Sequence, residues 1–120
     1  MTPLFLTWQL PGASHTIGAA QAGKKSIQSG ESRLRLYDLR SWVIVNNEVR
    51  MLVYPKAGVS HIMQSITKTT HRATPPDYQY RWIRSSLECA ELVWFMERFP
   101  VQAGLVSRPE QWPWSSAHTE

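Results

Sequence analysis

The chain has 120 residues, thirteen Lys/Arg against nine Asp/Glu, and a formal net charge of +4. That is the length of one domain and is enough to bury a core without covalent staples. A lone cysteine, Cys89, excludes an internal disulfide and suits a reducing, cytoplasmic setting. The N-terminal run M-T-P-L-F-L-T-W-Q-L-P-G lacks a basic leader and is too short in apolar residues for a signal peptide or a membrane span, so no membrane association is expected. Charge is uneven. Residues 24–84 carry eleven Lys/Arg and four Asp/Glu, a net of +7, whereas residues 85–120 have a net of −3. A basic body is what a phosphate backbone would attract, and it is also what an ordinary basic protein looks like.

Leu4–Leu10 is rich in apolar and aromatic residues and reads as a strand ended by the Pro11–Gly12 turn signal. Thr16–Ser29 reads as a helix, favoured by Ala19, Ala20 and Ala22, with Gly30 suited to the position just past its end. Leu34–Val45 and Glu48–Tyr54 read as two strands joined at Asn46–Asn47. If that turn preserves the alternation, Val43, Val45, Val49, Met51 and Val53 share an apolar face, and Asn46, Glu48, Arg50 and Leu52 share the other. Ser60–Arg72 follows as a helix with Ser60 as N-cap, a core stripe of Ile62, Met63 and Ile66, and a polar stripe of His61, Ser65, Lys68 and Arg72. Pro75–Pro76 breaks the chain before a strand over Tyr78–Arg84. A last helix runs from Ser86 to about Arg98, opened by Ser85 at capping spacing from Glu88. It carries Cys89, Leu92, Val93 and Met96 inward and is closed by Pro100 and Gly104. Residues 105–120 form an irregular tail rich in Trp and Pro. The order β-α-β-β-α-β-α describes a single α+β domain over residues 1–120, a ferredoxin-like antiparallel sheet covered by helices.

Two segments carry a resemblance. The tail F-P-V-Q-A-G-L-V-S-R-P-E-Q-W-P-W-S-S-A resembles the N-P-V-K-A-G-L-V…W-P-W-S-S ending of the REP-associated tyrosine transposases. The hairpin W-V-I-V-N-N-E-V-R-M-L-V resembles that family's W-V-V-M-P-N-H-V-H-L-L-V. F-L-T-W-Q-L-P-G, L-R-L-Y-D-L, I-M-Q-S-I-T-K and R-W-I-R are similar in matching order, so the resemblance spans nearly the whole chain, in a shortened form.

The family implied is that of the HUH single-stranded-DNA nucleases of Y1 type. In intact relatives two histidines, one residue apart on a strand, hold Mg or Mn, which polarises a scissile phosphate. A tyrosine on the C-terminal helix then forms a covalent phosphotyrosine link. Carried over by position, the histidines fall on Glu48 and Arg50 and the nucleophile on Phe95. An arginine cannot ligate a cation and phenylalanine has no hydroxyl. The resemblance therefore implies a degenerate copy with no cofactor, which binds single-stranded DNA, with hairpin-forming repeats as the target, but does not cleave or rejoin it. The other readings are a domesticated nucleic-acid-binding module, a translated relic and a partner-binding domain. Relatives act as monomers or homodimers.

Glu48 and Arg50 admit three readings: an ion pair on a half-exposed strand, a remnant metal site built on Glu48, or an Arg50 phosphate contact. Phe95 is expected as a packed helix aromatic, and Tyr78 and Tyr80 as sheet aromatics rather than substitute nucleophiles. His15, His61, His71 and His118 have no partner at ligand spacing. Lys24, Lys25, Arg33, Arg35, Arg40, Lys68, Arg72, Arg81 and Arg84, with Arg50, are the candidate nucleic-acid contacts; the bland reading is a solvated basic surface. Trp112 and Trp114 are expected to close the fold rather than stack on bases.

Overall fold

A computed structural model of the protein describes residues 1–10, 17–69 and 77–118. The elements are β1 (Leu4–Gln9), α1 (Ile17–Ser32), β2 (Tyr37–Val45), β3 (Glu48–Pro55), α2 (Val59–Thr69), β4 (Tyr78–Trp82) and α3 (Ser86–Gln102), followed by a 3-10 turn at Pro109–Gln111. The strands form one antiparallel sheet in the order β2-β3-β1-β4, the strand order expected of a ferredoxin-like α+β fold. The Pro11–Gly12 turn and the Pro75–Pro76 break lie outside the described residues, as do His15, His71 and Arg72.

Alternation along each strand splits the apolar residues between two cores. On one face Leu4, Leu6, Trp8, Val49, Met51 and Val53 pack against Ala20 and Ile27 of α1 and Ile62, Met63 and Ile66 of α2. On the other, Val43, Val45 and Leu52 pack against Cys89, Val93 and Met96 of α3. This corrects the expected face of Val43 and Val45. Asn46 and Asn47 both take positive φ, 51° and 65°, and close a two-residue turn. Val45 then pairs directly with Glu48 and Val43 with Arg50. Directly paired residues point to the same side, so the alternation inverts across such a turn, and Trp42 and Ile44 join Val49 and Met51 instead.

Several element ends also move. α1 runs two residues past Gly30, which sits inside the helix because Tyr37 packs on its backbone: a Cβ there would lie 2.1 Å from the Tyr37 hydroxyl. The hydroxyl donates to the Ile27 carbonyl at 2.7 Å. Burial, and then the neighbouring Glu31 carboxylate, push this phenol well above its ordinary range. β2 starts at Tyr37 rather than Leu34, after Arg35 turns the chain at φ 53°. β4 ends at Trp82, short of Arg84. In α2 the helix begins at Val59, so Ser60 is in its first turn rather than its cap. α3 continues through Pro100 to Gln102, because a proline loses only one backbone bond so near the C-terminus; Gly104 at φ 76° ends it. Ser85 caps α3 by accepting from the Glu88 N–H at 3.0 Å.

The tail closes the open edge of β2. The Ile44 N–H donates to Trp114 O and the Ser116 N–H to Trp42 O, both at 2.9 Å. The Trp112 indole N–H donates to Ile44 O at 2.8 Å, with Trp114 packed edge-on at 5.2 Å. Pairing and covering an edge strand in this way removes a template for aggregation. The two tryptophans thus pack against the sheet, as expected.

Candidate nucleic-acid site on the sheet

The α3 face of the sheet is apolar only where the helix covers it. Toward the Asn46–Asn47 end its floor turns polar. Thr7 is flanked by Gln79 and Arg50, and Gln9 pairs with Glu48. Over this floor lies a cavity of about 630 Å³. Phe5 and Leu92 supply an apolar wall and Asp77 lies on the β4 side; Trp8 and Tyr78 also border the cavity, although they pack with the α1–α2 core on the other face.

Glu48 and Arg50 are both part of this floor, each side chain about one-third exposed. The Arg50 Nε–H donates to Glu48 Oε2 at 2.5 Å. The flat guanidinium lies 3.8 Å above the centre of the Phe99 ring, a cation–π contact supplied by α3. Arg50 is therefore held from two sides, by a carboxylate on its own strand and by a ring on the opposing helix. A half-exposed pair of this kind adds little to stability, about 0–1 kcal/mol. Its consequence is orientation: a side chain that would otherwise sample many rotamers is fixed over the floor.

Phe95 is elsewhere. It is 52 % exposed on α3, edge-on to Trp94 at 5.1 Å, and is not part of the cavity wall, which corrects its expected packing. Phe99, one turn further along, is the α3 aromatic that reaches Arg50. Tyr78 lines the cavity while Tyr80 is exposed. Among the described residues no three His, Cys, Asp or Glu side chains cluster as a metal site would require. His61 is exposed on α2, and His118 Nδ1 lies 2.9 Å from Glu110 O in the tail.

The basic residues are dispersed. Lys24 and Arg40 border a cavity of about 410 Å³ between α1, β2 and the tail. Arg40 and Arg84 border another of about 370 Å³, with Ser85 and Ser86. Arg81 is engaged by Glu88. Lys25, Arg33, Arg35 and Lys68 are exposed on or beside α1 and α2, in the opposite layer from α3. Among the described residues the expected contacts thus do not form one continuous track; Arg40 links two of the groups. Thr7, Gln9, Asp77, Gln79 and the Phe99 contact join the site without a motif that marks them. For the strand residues, alternation from Glu48 and Arg50 was the available signal once the pairing was known.

No protein-family model and no curated protein sequence matches this chain. A solved structure of a REP-associated tyrosine transposase bound to a REP hairpin shares its fold, with a TM-score of 0.77 over 96 % of this chain and 76 % of that one, at 18 % identity. Among the described residues, no helix is long and apolar enough to cross a membrane.

Proposed function

We propose that this chain is a degenerate HUH transposase of the REP-associated tyrosine type, which binds single-stranded DNA with a hairpin-forming repeat and neither cleaves nor rejoins it. The observation that carries this reading is the closure of Glu48 on Arg50 beneath α3. In the family resembled, that place belongs to two metal-binding histidines. Here the carboxylate is taken by a guanidinium, whose fixed positive charge opposes a divalent cation, so the residues present do not fit a metal and binding needs none. Phe95 at the nucleophile's place offers no oxygen for a phosphotyrosine link. The transposase that shares the fold is itself bound to a REP hairpin, which supports the partner proposed here. The setting is the cytoplasm, where the buried thiol of Cys89 stays reduced.

The test is incubation of the purified protein with hairpin-bearing single-stranded DNA and Mg²⁺ or Mn²⁺, followed by a denaturing gel. No slow-migrating adduct is expected. A metal-dependent, protease-sensitive band would refute the loss of chemistry.

A second reading is favoured by the outer side of α3, where Leu87, Trp94 and Phe95 are exposed. Apolar side chains grouped on one helix are what a protein partner would cover, including a second copy of the chain. Light scattering across concentrations decides: a dimer abolished by Trp94→Ala supports this reading, and a monomer throughout excludes self-association.

A further inference from the structure

The polar cavity has a charge balance that matters for its ligand. Among the described residues Arg50 is its one cation, against the carboxylates of Glu48 and Asp77. A phosphate entering it would meet two like charges for one opposite charge. Other phosphate-attracting groups lie elsewhere, where Arg40 and Arg84 border a cavity with no carboxylate among its described lining residues. A neutral ligand that offers both acceptors and donors meets no such penalty.

We propose that the cavity over Glu48 and Arg50 is a nucleobase pocket that selects guanine from a single strand, rather than a phosphate site. The inference rests on the single-strand-binding reading above and names what that site reads. Arg50 spends its Nε–H on Glu48, and its flat face is covered by Phe99. Its terminal amino groups have no partner among the described residues. A guanidinium fixed in this way presents a rigid two-pronged donor, which matches the adjacent O6 and N7 acceptors of guanine. Guanine is also the base with N1–H and N2–H donors on the neighbouring edge, and Asp77 supplies an acceptor on the cavity's opposite side. Phe5 and Leu92 provide an aromatic ring and an apolar side chain for the base plane. The volume, about 630 Å³, is in the range of small-molecule pockets. Phosphate contacts from Arg40 and Arg84 would then position the strand while this pocket reads it.

The experiment measures affinity for short oligothymidine strands carrying one central dG, dA, dC, 7-deaza-dG or abasic site, with EDTA present. The dG strand is expected to bind about tenfold tighter than the all-thymidine strand. The preference should vanish with 7-deaza-dG, which lacks the N7 acceptor. It should also vanish in Arg50→Lys, which keeps the charge and loses the fork, and shrink in Asp77→Asn. The readout is the ratio of affinities within each variant, so a general loss of binding does not mimic the result. Circular dichroism verifies that the variants fold. Equal affinity for all strands, a dA or dC preference, or a dG preference that survives Arg50→Lys overturns the guanine pocket and leaves the single-strand reading standing. Absence of binding to every strand at low salt overturns both.

Discussion

Gly30 and Gly18 lie in the same helix, and alanine at the two positions should act in opposite directions. A Cβ on Gly30 would lie 2.1 Å from the Tyr37 hydroxyl, 2.5 Å from Cζ and 2.9 Å from Cε2. Tyr37 is fully buried and tied to Ile27 O, so the ring has little room to retreat. Alanine gains about 1 kcal/mol of helix propensity. Against this stand about 1–3 kcal/mol for overpacking and about 1–3 kcal/mol for a buried hydrogen bond pulled apart. Gly30→Ala should therefore lose about 3 kcal/mol net, a fall in Tm of roughly 10–15 °C for a chain of this size. Tyr37→Phe as a background removes only the nearest atom, so part of the loss should remain. Gly18 has no atom within 4 Å of its would-be Cβ, and Gly18→Ala should be neutral or gain up to about 0.5 kcal/mol. Thermal and urea unfolding of both variants measures the contrast. If Gly30→Ala melts at or above the wild-type temperature, the packing of Tyr37 on α1 is wrong, and with it the seating of α1 on the sheet.

Tyr37 also gives a pH prediction. Its folded form holds the phenolic proton more tightly than the unfolded chain does, so its contribution is intact below the ordinary value of 10.0. Above that pH the unfolded state ionises first, and stability falls by about 1.4 kcal/mol per pH unit as pH rises toward the folded pKa. Urea midpoints from pH 9 upward should fall in the wild type and flatten in Tyr37→Phe; identical slopes would remove Tyr37 from the explanation. For binding, Arg84→Gln should make the log-affinity against log-salt slope for a single strand shallower by about 0.7, the loss of one phosphate contact. An unchanged slope would take Arg84 out of the interface.

The element order and the ferredoxin-like architecture are legible in the sequence because each carries a strong local signal. These are the alternation in Leu4–Gln9, the Ser85 cap and the Ile62-Met63-Ile66 stripe. The parts that depend on tertiary contact are not legible. Gly30 looks like a helix end until Tyr37, seven residues on, is seen to need the space of a missing side chain. The face of Val43 and Val45 depends on whether the Asn46–Asn47 turn holds two residues between paired positions, and one residue of difference inverts the assignment. At the site, Glu48 and Arg50 stand out because a motif places them. The Gln79 and Asp77 side chains come to the same floor only through the pairing of β4 with β1, which nothing in the local sequence announces. Phe95 looks like an inward helix aromatic by type, yet Phe99 is the ring that turns toward the sheet.

Binding without covalent capture has two halves, and one titration tests both. A fluorescently labelled hairpin-bearing single strand is mixed with the protein and Mg²⁺ at low salt, its anisotropy is followed to equilibrium, and SDS is then added. A rise on mixing and a return to the free-strand value after SDS are expected. No rise at all would contradict the binding, and anisotropy that persists through SDS would contradict the loss of strand transfer.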